Sequence, residues 1–325
     1  MPKVAVLDDW QVVARRSADW SALQARAEVT FFERAFTPDE DLAKLLAVFD
    51  AMIIMRERTH FPAALLERLP KLRMLALTGV RSFSIDMPTC ARRGIIVCNT
   101  GSQQSTATTA ELTLALLLAA ARRVPQADAS MRKGRFQSDV PLGCVLEGKT
   151  LGIIGLGKIG LTMARYGQAL GMRVLAWSQN MTDETAGTAG ATRVDKMTLM
   201  RESDAVSLHV VLSDRTRHLI GAEELAAMKP GAILVNTSRG PLIDEIALVA
   251  ALRADRLVAA MDVYDREPLP ADHPYRSLSN TVLTPHLGYC TAEIYTQYYR
   301  ESIENVMAFL DGTPIRVINP EAIRP

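Results

Sequence analysis

The chain has 325 residues, 48% hydrophobic and 22% charged, and its lysine plus arginine (37) nearly balances its aspartate plus glutamate (36). That length exceeds one ordinary core and suits two domains, and the charge balance leaves no broad basic face for nucleic acid or an anionic membrane, so the expected partner is a small molecule. Four scattered cysteines, Cys90, Cys98, Cys144 and Cys290, lack the spacing of a disulfide framework or a zinc site, so no metal is expected and a reducing, cytoplasmic setting fits.

The opening stretch "MPKVAVLDDWQ" puts Asp8 and Asp9 where a signal peptide would carry its apolar core, so export is not expected. Short aliphatic runs then alternate with longer helical patterns. "KVAVLD", "EVTFFE", "DAMIIM", "LRMLALTG" and "GIIVCN" predict the strands of a parallel sheet. The apolar run 112–121, bracketed by Glu111, Arg122 and Arg123, falls short of the about 20 residues a membrane span takes. It predicts a buried helix over about 109–123, read as a bridge between domains. The polar stretch "VPQADASMRKGRFQSDVPLG" has no strong period and reads as an arm or loop suited to a dimer contact. The βα rhythm restarts with "TLGIIG" and continues through "RVLAWS", "AVSLHVV", "AILVNTS", "LVAAMDVY" and "TVLTPH", predicting a second sheet. A final helical pattern, "TAEIYTQYYRESIENVMAFLDG", stops at Gly312 and Pro314. It is expected to return to the first domain, giving residues 1–101 with 289–325 as one domain and 102–288 as the other.

Gly155, Gly157 and Gly160 follow the strand "TLGII" and open a helical pattern. A tight turn, close backbone approach to a pyrophosphate and close helix–strand packing need glycines at this spacing, and the helix start faces the phosphates. The end of the next strand, where an acidic residue commonly binds the adenosine ribose, carries Ser178, then Gln179 and Asn180. No carboxylate repels a 2′-phosphate there and no arginine or lysine attracts one. NAD is the expected cofactor, with NADP left open.

Three later strand ends carry polar residues where an open α/β sheet places its ligand: Arg239 in "VNTSRGPLID", Glu267 in "MDVYDREP" and His286 in "LTPHLGY". A cation to hold an anionic substrate, an imidazole to move a proton and a carboxylate to orient it are the parts that carbonyl reduction requires.

The motifs "GLGKIG", "VNTSRGPLIDE", "AMDVYDREPL" and "TPHLGY", in that order, resemble those of the D-isomer-specific 2-hydroxyacid dehydrogenases, the family of phosphoglycerate dehydrogenases and of glyoxylate and hydroxypyruvate reductases. The likeness covers most of the chain and is weakest in the first domain. It implies an α/β fold of two doubly wound parallel-sheet domains, a flavodoxin-like substrate domain and a Rossmann NAD(P)-binding domain, with the active site in the cleft between them. It also implies a homodimeric oxidoreductase that transfers a hydride between a nicotinamide cofactor and a small anionic 2-oxo or D-2-hydroxy acid. By the same resemblance Arg239 would bind substrate, Glu267 would orient His286, and His286 would be the acid in reduction and the base in oxidation. Leu156, Lys158 and Ile159 would complete the dinucleotide loop, and Thr109, Thr237 and Asp262 would lie near the nicotinamide, Asp262 close to its carboxamide.

In the first domain "LTGVRSFSID" matches the family's substrate loop, whose backbone amides at Gly79, Val80 and Arg81 would receive the substrate carboxylate. Arg56 and Arg58 in "MIIMRERTHF" resemble the RxRT stretch that phosphoglycerate dehydrogenases use near the substrate phosphate, which would let them select an anion. Departures are Arg81 where glycine is common, Val211 for a usual proline and Tyr289 for a usual glycine, and they leave the particular acid open. Cys290 is expected to pack rather than react. Formate dehydrogenases differ in having Gln at the place of Glu267. A phosphite-type dehydrogenase and a dinucleotide-sensing, corepressor-like binding protein stand as the alternative readings.

Overall fold

The computed structural model describes residues 1–37, 39–81, 84–101 and 105–323. The chain divides into two compact units, Met1–Gln104 with Thr291–Pro325, and Ser105–Cys290.

In the first unit β1 (Lys3–Val6), β2 (Glu28–Phe31), β3 (Ala51–Ile54), β4 (Met74–Leu77) and β5 (Ile96–Asn99) form one sheet in the order β2-β1-β3-β4-β5. All its pairings are parallel. Parallel strands are covered on both faces, which is why these segments are continuous apolar runs: β3 and β4 are buried at every position. One face packs Leu7, Met52, Ile54, Leu75, Leu77 and Val97 against Leu46, Leu66 and Leu69. Each such fully buried aliphatic side chain contributes about 1.5–3 kcal/mol. The helix Ala292–Leu310, started by the Thr291 hydroxyl accepting from the Ile294 amide, packs on β4. Beyond it, buried Asn319 stitches the tail to β5: its Oδ1 accepts the Val97 amide at 2.7 Å and its Nδ2 donates to the Ile95 carbonyl at 2.8 Å.

The second unit holds β6 (Thr150–Ile154), β7 (Arg173–Trp177), β8 (Thr192–Arg193), β9 (Ala205–Leu208), β10 (Ala232–Asn236), β11 (Leu257–Met261) and β12 (Thr281–Leu283). They pair in parallel in the order β12-β11-β10-β9-β6-β7-β8. The order reverses between β6 and β9, the switch point of a dinucleotide-binding sheet. Alternate residues feed two cores. Leu151, Ile153, Val174, Val235 and Ala260 face one layer of helices, and Ile154, Leu175, Leu208, Leu234 and Met261 face the other.

Each of the eleven expected runs contains a strand, and two details differ from the sequence reading. The two-residue β8 is too short to announce itself. The polar stretch from 124 onward opens with a helix, Val124–Arg132, and only then becomes irregular. Pro125 suits the first turn of a helix, and most of this helix is solvated, so no apolar period marks it. The helix read as a bridge, Ser105–Arg122, belongs to the second unit, where Ala110, Leu116, Leu117, Ala120 and Ala121 enter the core beside Leu151 and Ile153. Among the described residues no helix is long and apolar enough to cross a membrane.

Candidate active site

The glycine loop leaves β6 at the switch point. Gly155 has φ +96°, and a Cβ there would stand 2.6 Å from the His209 carbonyl oxygen, so only glycine makes this turn. At Gly160 a Cβ would lie 2.1 Å from the Gly155 carbonyl oxygen, the close approach of helix to loop. Gly157, by contrast, meets nothing within 4 Å, and it precedes the helix Lys158–Ala169 with no side-chain cap. An open, side-chain-free helix start flanked by Leu156, Lys158 and Ile159 is a cradle that fits a pyrophosphate. Ser178 follows β7 directly, its carbonyl receiving the Met181 amide at 3.2 Å in a turn. The residues present therefore fit a dinucleotide.

Arg239, Glu267 and His286 follow β10, β11 and β12, three neighbouring strands whose carboxyl ends lie on one side of the sheet. The loop after β10 is pinned by buried Asn236: its Nδ2 donates to the Arg239 carbonyl at 2.8 Å and its Oδ1 accepts the Ser238 amide at 3.0 Å. Arg239 Nη1 donates to the Ser238 carbonyl at 2.7 Å, which ties one tip of the guanidinium to its own loop. A Cβ on Gly240 would stand 2.1 Å from the Tyr264 carbonyl carbon, so this loop lies directly against the one carrying Glu267.

His286 Nδ1 and Glu267 Oε2 are 2.6 Å apart. The other carboxylate oxygen accepts the Tyr264 amide at 2.9 Å, so Glu267 is held while it holds the ring. A carboxylate at Nδ1 fixes the orientation of the ring and leaves Nε2 as its other nitrogen for exchanging a proton. Tyr289, nearly buried, sets its ring edgewise to the imidazole at 5.6 Å between centroids and 72° between planes. The Cys290 thiol lies 3.6 Å from the His286 carbonyl oxygen.

His286 itself has φ +56°, a left-handed conformation that costs a non-glycine residue energy unless its surroundings over-determine it. Asp262 supplies the determination. Its carbonyl receives the His286 amide at 2.8 Å, and its carboxylate accepts from the Thr284 hydroxyl (2.6 Å), the Leu287 amide (2.7 Å) and the Gly288 amide (2.9 Å). Burial pushes the Asp262 carboxyl up, opposed by these three donors and the nearby His286. Tyr264 reinforces the frame, its hydroxyl donating to the carbonyls of Met261 and Thr284. Neither the clamp made by Asp262 nor the bracing by Tyr264 is legible in the sequence. The only local cue was the position of Tyr264 three residues before Glu267.

Thr109 sits inside the helix Ser105–Arg122 and donates to the Gly288 carbonyl at 3.0 Å, joining that helix to the histidine loop. Thr237 shares a 2.8 Å hydroxyl contact with buried Thr113. The remaining expected residues lie in the first unit. Gly79 has φ +83° and its amide donates to the Thr100 hydroxyl at 2.7 Å. The Val80 carbonyl accepts from Asn99, and Arg81 is exposed, whereas Ser82 and Phe83 of the same stretch lie outside the described residues. Arg56 pairs with Glu57 at 3.5 Å, and Arg58 donates to the Asp8 carbonyl at 2.6 Å.

Residues 114–288 match the family model described as D-isomer specific 2-hydroxyacid dehydrogenase, NAD binding domain. A glyoxylate reductase of Aeropyrum pernix is 42% identical over 269 residues, 80% of this chain and 80% of that one. A D-3-phosphoglycerate dehydrogenase of Archaeoglobus fulgidus is 36% identical over 88% of this chain, which spans 54% of the longer relative. Among solved structures, a phosphoglycerate oxidoreductase from Vibrio cholerae superposes with a TM-score of 0.89 at 37% identity, covering 96% of this chain and 100% of that one.

Proposed function

Because the chain belongs to the D-isomer-specific 2-hydroxyacid dehydrogenases, an NAD(P)-linked family acting on 2-oxo and 2-hydroxy acids, we propose that it reduces a small anionic 2-oxo acid with Arg239, Glu267 and His286 as its working side chains. The observation that carries this reading is the 2.6 Å contact of His286 Nδ1 with Glu267, at a histidine held in a left-handed turn beyond β12.

Bound at the glycine loop, the nicotinamide cofactor supplies the hydride in reduction and takes it up in oxidation. Gly155, Leu156, Gly157, Lys158, Ile159 and Gly160 hold its phosphates, Ser178 meets the adenosine ribose, and Thr109, Thr237 and Asp262 stand toward the nicotinamide. His286 Nε2 donates a proton to the substrate carbonyl oxygen as that oxygen gains charge, and recovers it in the reverse direction. Glu267 holds the ring at Nδ1 and keeps it aligned for that transfer. Arg239 neutralises the substrate carboxylate and polarises the adjacent carbonyl. In the first unit the Gly79 amide is already engaged by the Thr100 hydroxyl, which leaves the amides of Val80 and Arg81, with Arg56 beside Gly79, as the candidate donors to an anion.

Ser178 in place of an acidic residue supports NAD use with tolerance of NADP. Exposed Phe136, Leu142 and Val145 in the irregular stretch of the second unit support a homodimer, and four free cysteines support a cytoplasmic setting. Balanced charge supports a small-molecule partner rather than nucleic acid.

The test follows absorbance of NADH and NADPH with glyoxylate, hydroxypyruvate, phenylpyruvate and 2-oxobutyrate. Oxidation with at least one acid, abolished by His286→Asn, is expected. Tight cofactor binding without turnover of any of them would sink the reductase reading in favour of a sensing role.

A further inference from the structure

Arg56 and Arg58 leave β3 two residues apart and reach different surroundings. Arg58 Nη1 donates to the Asp8 carbonyl at 2.6 Å and Nη2 to the Tyr295 hydroxyl at 3.3 Å, and the guanidinium carbon lies 4.5 Å over the Trp10 ring centroid. Tyr295 in turn hydrogen-bonds Gln11. Beside the guanidinium is the buried Asp8 carboxyl, which accepts from the Thr59 hydroxyl at 3.0 Å. Asp8, Trp10 and Gln11 follow β1, Thr59 follows β3, and Tyr295 belongs to the helix Ala292–Leu310, 237 residues away from Arg58 in sequence. One cation thus ties three separate segments of the first unit.

Arg56 stands elsewhere. Its Nε and Cδ lie 3.6 and 3.7 Å from where a Cβ on Gly79 would be, at the opening of the loop matched to substrate binding, and the Tyr298 hydroxyl lies 3.4 Å from the same point.

We propose that Arg58 is a positioning residue that clamps the β1 loop, the β3 loop and the C-terminal helix, and not a ligand for a distal phosphate. The preferred substrates are then short unphosphorylated 2-oxo acids, selected by Arg56 beside Gly79. This deepens the reductase reading above and rests on it for the substrate class. Recognition of a phosphate by arginine uses the planar fork aimed at the anion. Here the fork is turned to a carbonyl and a phenol, its face covers an indole, and its charge balances Asp8. Swinging it to a ligand would leave a buried carboxylate without its cation, and such a group is costly to strand. A phosphate dianion placed at Arg58 would also face Asp8.

The test compares hydroxypyruvate with 3-phosphohydroxypyruvate in the holoenzyme, for the natural sequence and for Arg58→Gln, Tyr295→Phe and Arg56→Gln. The natural enzyme should favour the unphosphorylated acid in kcat/KM by at least roughly tenfold. Arg58→Gln should lower Tm by about 2–4 °C or more and alter the emission assigned to Trp10 by a Trp10→Phe control, and the ratio between the two acids should stay within about twofold. Tyr295→Phe, a gentler change that keeps the ring, should leave the ratio unmoved, whereas Arg56→Gln should raise KM for both acids. A natural preference for the phosphorylated acid that Arg58→Gln or Tyr295→Phe abolishes, with Tm and Trp10 emission unchanged, would overturn the proposal. If no acid is turned over by any form, the reductase reading fails, and the clamp still stands or falls by Tm and Trp10 emission.

Discussion

Asp262 grips the turn of His286 from both sides: its backbone carbonyl takes the His286 amide and its side chain takes the next two amides, Leu287 and Gly288. The strained backbone of the histidine is therefore a property of the aspartate. An amide in place of the carboxylate has one acceptor oxygen and turns an NH2 group toward a donor. Asp262→Asn should strand a buried N–H at a cost of about 1–3 kcal/mol, which lowers kcat/KM by roughly 10- to 100-fold. Steady-state kinetics with Tm in parallel checks this, and unchanged kinetics would remove Asp262 from the support of His286.

Glu267 and His286 act as one unit if the 2.6 Å contact is productive. His286→Asn should reduce kcat by about 10²–10⁴-fold and leave the dissociation constant of NADH, followed by its fluorescence, nearly unchanged. Glu267→Gln added to it should cost little more, because a partner already lost cannot be lost again. Additive losses would mean the two residues serve separate purposes.

Two glycines of the dinucleotide loop should separate folding from binding. Gly157→Ala meets no atom of the chain, so Tm should hold while the added methyl weakens NADH binding by about tenfold or more. Gly160→Ala drives a carbon into the Gly155 carbonyl, so Tm should fall together with binding. Equal binding losses at equal Tm would contradict the assignment of Gly157 to the phosphate cradle.

Burial pushes the Asp8 carboxyl up from 3.8 to about 6, only partly opposed by Thr59, Arg58 and Trp10. The folded state therefore holds a proton that the unfolded chain has released between those two values, and stability from this site is present below about 4 and lost as pH rises to about 6. The loss is about 3 kcal/mol. Asp8→Asn should gain stability relative to the natural sequence as pH is raised from 4 to 7, read from Tm at each pH. A difference that stays flat across that range would show that Asp8 is ionised in the fold with no penalty.

Much of this was legible because strands buried on both faces must be apolar throughout, so "AMII" and "MLAL" announce themselves. The strand-end positions of Arg239, Glu267 and His286 followed from the same regularity. What could not be read was long-range. Nothing local marks Asp262 as the clamp of a turn more than twenty residues later, or sends Arg58 to Tyr295 rather than to a ligand. The helix Val124–Arg132 is silent in the sequence for the opposite reason, since a solvated helix has no apolar stripe to betray it.

The first unit is assembled from the two stretches of sequence that flank the second, with Asn319 stitched to Val97 and Ile95, and Tyr295 bonded to Arg58. On the ribosome its five strands emerge before the helix Ala292–Leu310 that covers β4, while residues 105–290 are delivered whole. The dinucleotide-binding unit can therefore close during synthesis, while the five-stranded sheet waits, partly bare, for the segment that follows residue 290.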